Sequence, residues 1–189
     1  MQLDCDAPQF RAALKAGQAG VIDSLWDAYA GRVMGFAVYL TGDRTEAEDL
    51  LQDTFVAAYQ SRHTYRADGK PVNWLLGIAA RRWRDTRRRR RSRPPPTGQY
   101  DCEQTASALG QQATGLLTTA LDQELQRLPS AQREAFLLVV AQGLSYPEAS
   151  AVTGTRVGTL KWRVHRAMRH LRQNLFPKEE LDHELHRAL

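Results

Sequence analysis

The sequence predicts an all-α protein made of two small helical domains joined by a flexible linker, the second domain containing a helix-turn-helix. Apolar residues recur at spacings of three and four along most of the chain, and no segment shows the strict alternation that is typical of a strand. Three prolines at 94–96 are followed by mostly small and polar residues. We therefore expect domains at 1–93 and 117–176, a flexible linker at 94–116 and a tail at 177–189.

The first domain opens with a long predicted helix. Its apolar stripe runs from Ile22 to Leu40, and Thr41-Gly42-Asp43 is expected to end it. Thr45 and Glu48 have the spacing of a capping box, which predicts the start of a second helix. The predicted inner face of that helix consists of Ala47, Leu50 or Leu51, Phe55 and Ala58.

Charge is distributed unevenly along the chain. The net charge is +5, yet nine arginines and one aspartate lie between Arg81 and Arg93, so the remainder is net negative. This basic block ends a third predicted helix, which starts near Pro71. The second helix instead carries five acids: Asp43, Glu46, Glu48, Asp49 and Asp53. Opposite charge on separate elements indicates two different partners.

The second domain is predicted to hold a helix at 117–128, an apolar helix after Pro129, and two helices around a tight turn. Ser145 and Glu148 form a capping-box pattern, and Gly154 suits a left-handed helix end. A last helix begins at Val157. Its apolar stripe consists of Val157, Leu160, Val164, Met168, Leu171 and Leu175.

The opposite face of this last helix is basic, because no acidic residue occurs between Glu148 and Glu179. A helix in the major groove reads base edges with residues near its start, while flanking cations contact phosphates. The pattern favours DNA binding over its alternative, a solvated basic helix. The candidate DNA-binding residues are Arg156, Thr159, Lys161, Trp162, Arg163, His165, Arg166 and Arg169.

The composition argues against several other classes of protein. The N-terminus lacks the pattern of a signal peptide and no apolar run is long enough to span a bilayer, so we expect a cytoplasmic protein without membrane contact of its own. Cys5 and Cys102 stand alone, and His183-Glu-Leu-His186 lacks a third metal ligand. No catalytic constellation or phosphate-binding glycine loop is present, so we expect no enzyme activity, cofactor or metal.

Several segments resemble the extracytoplasmic-function (ECF) group of the sigma-70 family of bacterial RNA polymerase sigma factors. They are EAEDLLQDTF at 46–55, PVNWLLGIAA at 71–80, LPSAQREAF at 128–136, GLSYPEA at 143–149 and VGTLKWRVHRA at 157–167. Their order, with a linker of the expected kind between the second and third, makes the resemblance specific. It implies a factor that binds core RNA polymerase and directs promoter-specific transcription initiation.

The resemblance implies that Asp49, Gln52 and Asp53 bind core RNA polymerase at the clamp of its largest catalytic subunit. The alternative for the acids of this helix is capping and solvation, which accounts for Glu46 and Glu48 but poorly for Gln52 and Asp53.

The resemblance also implies that the loop and third helix of the first domain open and hold the minus-ten promoter element. Unstacked bases are captured by aromatic side chains and the strand by cations. The candidates are Arg62, His63, Tyr65 and Arg66 in the loop, with Asn73, Arg81, Arg82 and Arg84 on the helix. The run 87–91 is expected to bind phosphates, and Trp74 and Trp83 are equally well explained as core.

The helix-turn-helix would read the minus-thirty-five element as a duplex. Trp162 stands where these factors usually have a small polar residue, and Arg81 where an asparagine is common. The resemblance further implies an anti-sigma factor that wedges between the two domains. A different hypothesis is a stand-alone helix-turn-helix regulator with a protein-interaction domain, which would act without polymerase.

Overall fold

A computed structural model describes residue 5 and residues 9–65, 70–92 and 120–176. The chain separates into two compact units, Met1–Ala113 and Thr114–Leu189. Every regular element among the described residues is helical, which confirms the all-α prediction. Arg66, Cys102, the predicted linker at 94–116, the tail at 177–189 and the start of the predicted helix at 117 lie outside the described residues.

The first unit is built on three long helices: α2 (Val21–Thr41), α3 (Arg44–Gln60) and α4 (Pro71–Ser92). A short helix, α1 (Phe10–Ala16), packs against α2 and against a 3-10 turn at Arg62–Thr64. The core consists of side chains such as Phe10, Leu14, Leu25, Phe36, Leu40, Leu75 and Leu76, all fully buried. Helix α1 was not predicted, because seven residues are too short for a periodic signal.

The start of α3 differs from the prediction. Gly42 ends α2 in the left-handed conformation at φ 80°, as expected. Asp43 then adopts an extended conformation, and its carboxylate accepts a hydrogen bond from the Glu46 amide at 2.8 Å. The predicted Thr45–Glu48 capping box is therefore wrong: Asp43 caps the helix, and Thr45 is exposed within the first turn. Leu50, rather than Leu51, is the buried leucine.

The second unit contains α5 (Ala120–Arg127), α6 (Ser130–Phe136) continued by a π-helical turn at Leu137–Ala141, α7 (Tyr146–Thr153) and α8 (Val157–Leu175). Helices α5, α6 and α7 each pack against α8. The buried stripe of α8 is Leu160, Val164, Ala167 and Leu171. Met168, predicted for this stripe, is 40% exposed because Ala167 occupies the centre of the buried face.

No helix among the described residues is both long enough and apolar enough to cross a bilayer. Each of the two helical units exposes the polar face of a helix opposite its buried stripe.

Candidate protein-binding and nucleic-acid surfaces

The outward face of α3 carries the three predicted polymerase contacts. Asp49, Gln52 and Asp53 are exposed, opposite the buried Ala47, Leu50, Thr54 and Ala58. Within the described residues, none of the three side chains makes a hydrogen bond or an ion pair. Two carboxylates and an amide are thus left to solvent on one face of a rigid helix.

Two other acids of α3 form ion pairs with arginines of the first unit. The Glu46 carboxylate accepts a hydrogen bond from Arg90 at 2.6 Å, which ties the start of α3 to the distal part of α4. Glu48 pairs with Arg44 at 2.7 Å within the helix. Glu46 and Glu48, for which the sequence indicates capping and solvation as a sufficient explanation, are therefore paired with arginines, whereas Asp49 and Asp53 have no ion-pair partner among the described residues.

Two large apolar side chains extend the outward face of α3 towards its C-terminal end. Val56 is 56% exposed and Tyr59 is 48% exposed. Both lie on the side of α3 that carries Gln52, because residues three and four apart share a helix face. An exposed apolar pair next to unpaired acids is typical of a protein-binding surface. The sequence offered a signal for it, since the apolar stripe of α3 does not include these positions.

The predicted minus-ten residues of the loop have unequal exposure. His63 is exposed, whereas the guanidinium of Arg62 lies 4.6 Å from the centre of the Tyr59 ring and donates a hydrogen bond to the Tyr59 carbonyl at 2.9 Å. Tyr65 is only 5% exposed, with its ring centre 6.4 Å from Phe10 and 5.3 Å from Trp74. In this structure the Tyr65 ring belongs to the core, so it offers no face for base stacking.

Helix α4 carries the remaining minus-ten candidates. Arg81 is exposed, and Asn73, Arg82 and Arg84 are partly exposed. The Arg84 Nε donates to the Ala80 carbonyl at 3.2 Å.

The basic end of α4 is partly occupied by contacts within the first unit. Arg87 lies 5.0 Å from the buried Trp83 ring, and Arg88 pairs with Asp85 at 3.2 Å. Arg90 pairs with Glu46. Of the described arginines in this block, Arg89 is exposed and is not engaged by another described residue. The arginine run therefore does not present five free cations around the helix.

In the second unit, α7 and α8 form the predicted helix-turn-helix. The Ser145 amide donates to the Glu148 carboxylate at 2.8 Å, and the Ser145 hydroxyl accepts from the Glu148 amide at 3.4 Å, which completes the capping box. Pro147 lies in the first turn, and Gly154 ends α7 at φ 69°. The turn was predictable because each of these features is local.

The outward face of α8, together with its N-cap residue Arg156, holds all eight candidate contacts for duplex DNA. Arg163 is partly exposed, and the other seven are exposed: Arg156, Thr159, Lys161, Trp162, His165, Arg166 and Arg169. Aromatic rings lie among the cations. Lys161 is 5.7 Å from the Tyr146 ring, Arg166 is 5.8 Å from the Trp162 ring, and the Arg169 and His165 side chains are 3.0 Å apart.

A buried acid sets the position of α8, and sequence reasoning missed it. Glu124 of α5 is almost fully buried, and its Oε2 lies 3.0 Å from the His170 Nε2 and 2.9 Å from the Asn174 amide nitrogen. Arg127 pairs with the same carboxylate. Because His170 and Asn174 are on α8, this cluster joins α5 to the helix that carries the basic face.

No group of three or more histidine, cysteine or acidic residues within the described ranges is arranged to hold a metal ion. The His183–His186 pair lies outside them.

Two family matches cover more than half of the chain. Residues 25–93 match the family described as Sigma-70 region 2, and residues 118–171 match Sigma-70, region 4. The first match contains α3 and α4, and the second contains the helix-turn-helix.

Individual proteins are similar over most of their lengths. The RNA polymerase sigma factor CarQ of Myxococcus xanthus is 33% identical, over 84% of this chain and 91% of its own. The ECF RNA polymerase sigma factor EcfG of Rhodopseudomonas palustris is 35% identical, over 82% and 86%. The sigma factor RpoE of Bartonella quintana, solved in complex with the anti-sigma factor NepR, is 25% identical with a TM-score of 0.63, over 83% of this chain and 98% of that one.

Sigma factors are non-catalytic subunits of RNA polymerase. The described residues of this chain expose a mixed acidic and apolar face on α3 and a basic face on α8. Matched regions, their order and the helical fold agree, and the chain belongs to the ECF group of the sigma-70 family of RNA polymerase sigma factors.

Proposed function

We propose that this ECF sigma factor binds core RNA polymerase through Asp49, Gln52 and Asp53, at the clamp of the largest catalytic subunit. One observation carries the proposal: these three side chains have no partner among the described residues, while Glu46 and Glu48 of the same helix are each paired with an arginine. Unpaired carboxylates attract a basic surface of a partner, and their positions fix how that partner is aligned on α3. Val56 and Tyr59 add apolar area beside them.

The first unit opens the minus-ten element with the loop after α3 and with α4. Strand opening costs a few kcal/mol per step, and capture of unstacked bases together with phosphate contacts recovers that cost. The exposed Arg81 and His63 and the partly exposed Asn73, Arg82 and Arg84 are the side chains that support this role. Arg62 contributes by positioning the loop against Tyr59, and Arg66 completes the predicted set.

The second unit reads the minus-thirty-five element with α8. Helix α7 crosses the DNA backbone in this docking mode, and the N-terminal half of α8 enters the major groove. Arg156, Lys161, Arg163 and Arg169 supply phosphate contacts, whereas Thr159, Trp162, His165 and Arg166 face base edges.

An anti-sigma factor holds this protein inactive by binding so that the two units cannot engage polymerase. The proposal is supported by the similarity to RpoE of Bartonella quintana, which was solved with its anti-sigma factor NepR. Linkage requires the inhibitor to favour an arrangement of the units that polymerase does not bind. The site of action is the cytoplasm, where core polymerase and promoter DNA are found.

Reconstituted transcription tests the proposal. Purified protein is added to core polymerase with fragmented genomic DNA, and the transcripts are sequenced. We expect start sites that share two upstream elements, and their absence on every template would contradict initiation by this chain. Recovery of polymerase alone from resting and stressed cells, in pulldowns with tagged protein, would contradict the anti-sigma factor.

A further inference from the structure

Trp162 is unusually exposed for an aromatic side chain of its size. It is 57% exposed on the face of α8 opposite Leu160, Val164 and Ala167. A large ring placed on a polar helix face leaves apolar area in water, and Trp162 is not among the buried core residues of the second unit. The ring is therefore exposed apolar area on a helix face that otherwise carries basic side chains such as Lys161, Arg166 and Arg169.

The Trp162 ring has one charged neighbour. The Arg166 guanidinium carbon lies 5.8 Å from the ring centre, one helical turn later. A cation over an aromatic face is held by the ring quadrupole, which restricts the guanidinium while leaving its N–H groups to solvent. Lys161 is directed elsewhere, since its Nζ lies 5.7 Å from the Tyr146 ring of α7. Trp162 and Arg166 therefore form a pair separate from the lysine.

Gly158, four residues before Trp162, carries no side chain. A Cβ added at Gly158 would meet nothing within 4 Å, so packing within the second unit does not require a glycine there. Glycine in a helix is less stable than alanine, which leaves Gly158 without a folding rationale. Gly158 lies one helical turn before Trp162 and on the same side of α8, because residues four apart share a helix face.

We propose that Trp162 and Arg166 act as one reading unit that selects a thymine next to a guanine in the minus-thirty-five element. The indole contacts the thymine 5-methyl group in the major groove, and the restricted guanidinium donates two hydrogen bonds to guanine O6 and N7. Gly158 leaves room for the base edge beside the ring. This inference depends on the proposed function, since it requires α8 to read that element.

The test uses holoenzyme, reconstituted from the full chain and core polymerase, on a promoter library randomised across the upstream element. We expect wild-type protein to enrich thymine beside guanine. Trp162→Ala should lose the thymine preference, Trp162→Phe should keep it, and Arg166→Ala should lose the guanine preference. Lys161→Ala is the matched control, because loss of a phosphate contact weakens initiation about equally on all sequences.

A second experiment uses promoter DNA from which only the thymine 5-methyl group has been removed. Replacing the selected thymine by deoxyuridine should lower promoter binding by the wild-type protein about fourfold, which is the effect of one buried methyl group. The same replacement should not change promoter binding by the Trp162→Ala variant. Equal binding of the two duplexes by wild type, or a thymine preference retained by Trp162→Ala, would overturn the inference. Absence of promoter-specific transcripts on every template would instead overturn the proposed function.

Discussion

The outward faces of α3 and α8 are built alike and charged oppositely. Each lies opposite a buried stripe, and each leaves charged groups without an oppositely charged partner among the described residues: Asp49 and Asp53 on α3, Lys161 and Arg166 on α8. On α8 the cations lie beside aromatic rings, which do not neutralise them. The free energy of neutralising either face is therefore available to a partner: a basic protein surface for α3 and a phosphate backbone for α8.

The two helices also begin differently. Asp43 caps α3 and Glu46 lies in its first turn, so the early acids interact favourably with the helix dipole. Helix α8 has no side-chain cap, no acid in its first turn, and Arg156 at its N-cap position. Cations near a helix start oppose the dipole. The acids that begin α3 thus help it fold, whereas Arg156 at the start of α8 opposes the dipole of its helix.

The largest expected effect comes from reversing the charge of the outward face of α3. Asp49→Lys combined with Asp53→Lys should weaken binding to core polymerase at least about a hundredfold, because like charges then meet the basic partner. Binding is measured by fluorescence anisotropy of labelled protein titrated with core enzyme. A stand-alone DNA-binding regulator would keep its activity in this variant.

Asp23→Lys on α2 is the control for this variant. Asp23 is also exposed, and changing it should leave polymerase affinity within about twofold. Equal weakening by both changes would show that net charge, rather than the face of α3, determines the interaction.

The next effect concerns how α8 is held. Glu124→Ala should destabilise the second unit by about 2 kcal/mol, because His170, Asn174 and Arg127 lose a shared, charged hydrogen-bond acceptor. Amide hydrogen exchange in α5 and α8 of the full chain measures it, and α3 should keep its protection. The exposed neighbour Gln123→Ala is the control, and destabilisation of equal size there would contradict a role for the cluster.

The salt dependence of promoter binding tests whether the basic face of α8 contacts phosphates. Lys161→Ala should reduce by about one the slope of log binding constant against log salt concentration for promoter DNA, since one phosphate contact is lost. Holoenzyme binding is measured at several potassium chloride concentrations. Met168→Ala on the same helix removes no charge and should keep the wild-type slope, so a reduced slope there would contradict the electrostatic explanation.

The smallest effects compare the two helix caps. Asp43→Ala and Ser145→Ala should each destabilise their own unit by about 1 kcal/mol, because each removes a side-chain acceptor from a helix start. Thr45→Ala tests the structure against the sequence pattern, since Thr45 makes no cap in the structure and its loss should change stability by less than about 0.5 kcal/mol. Hydrogen exchange at the first turns distinguishes these outcomes.

Much of the fold was predictable, because the signals that bound its helices are local. Gly42, Pro71, Ser145 and Gly154 each act on a few neighbouring backbone groups, and the structure has helix ends at all four. The family and the exposure of the polymerase and duplex-DNA candidates followed from the same kind of information, since a periodic stripe states which face is outward.

Other features could not be read from neighbouring residues. Asp43 and Thr45 both suit a helix start, and the left-handed Gly42 decides between them by setting where α2 ends. Tyr65 lies among cations in the sequence, yet α1 and Trp74 cover its ring. Neither pattern nor propensity distinguishes a stacking tyrosine from a buried one.

By itself, the sequence determined the helical class, most helix boundaries, the opposite charges of α3 and α8 and the sigma-factor family, because these depend on spacing and residue type. The tertiary structure decided which charged groups are paired within the fold and which are not. Glu46 is bound by Arg90, forty-four residues away, and Glu124 by Asn174, fifty residues away. The physical reason is that pairing and burial depend on groups that only folding brings within a few ångströms. Within the part of the chain that the structure describes, Asp49, Gln52 and Asp53 have no such group beside them, and so they are available to a partner.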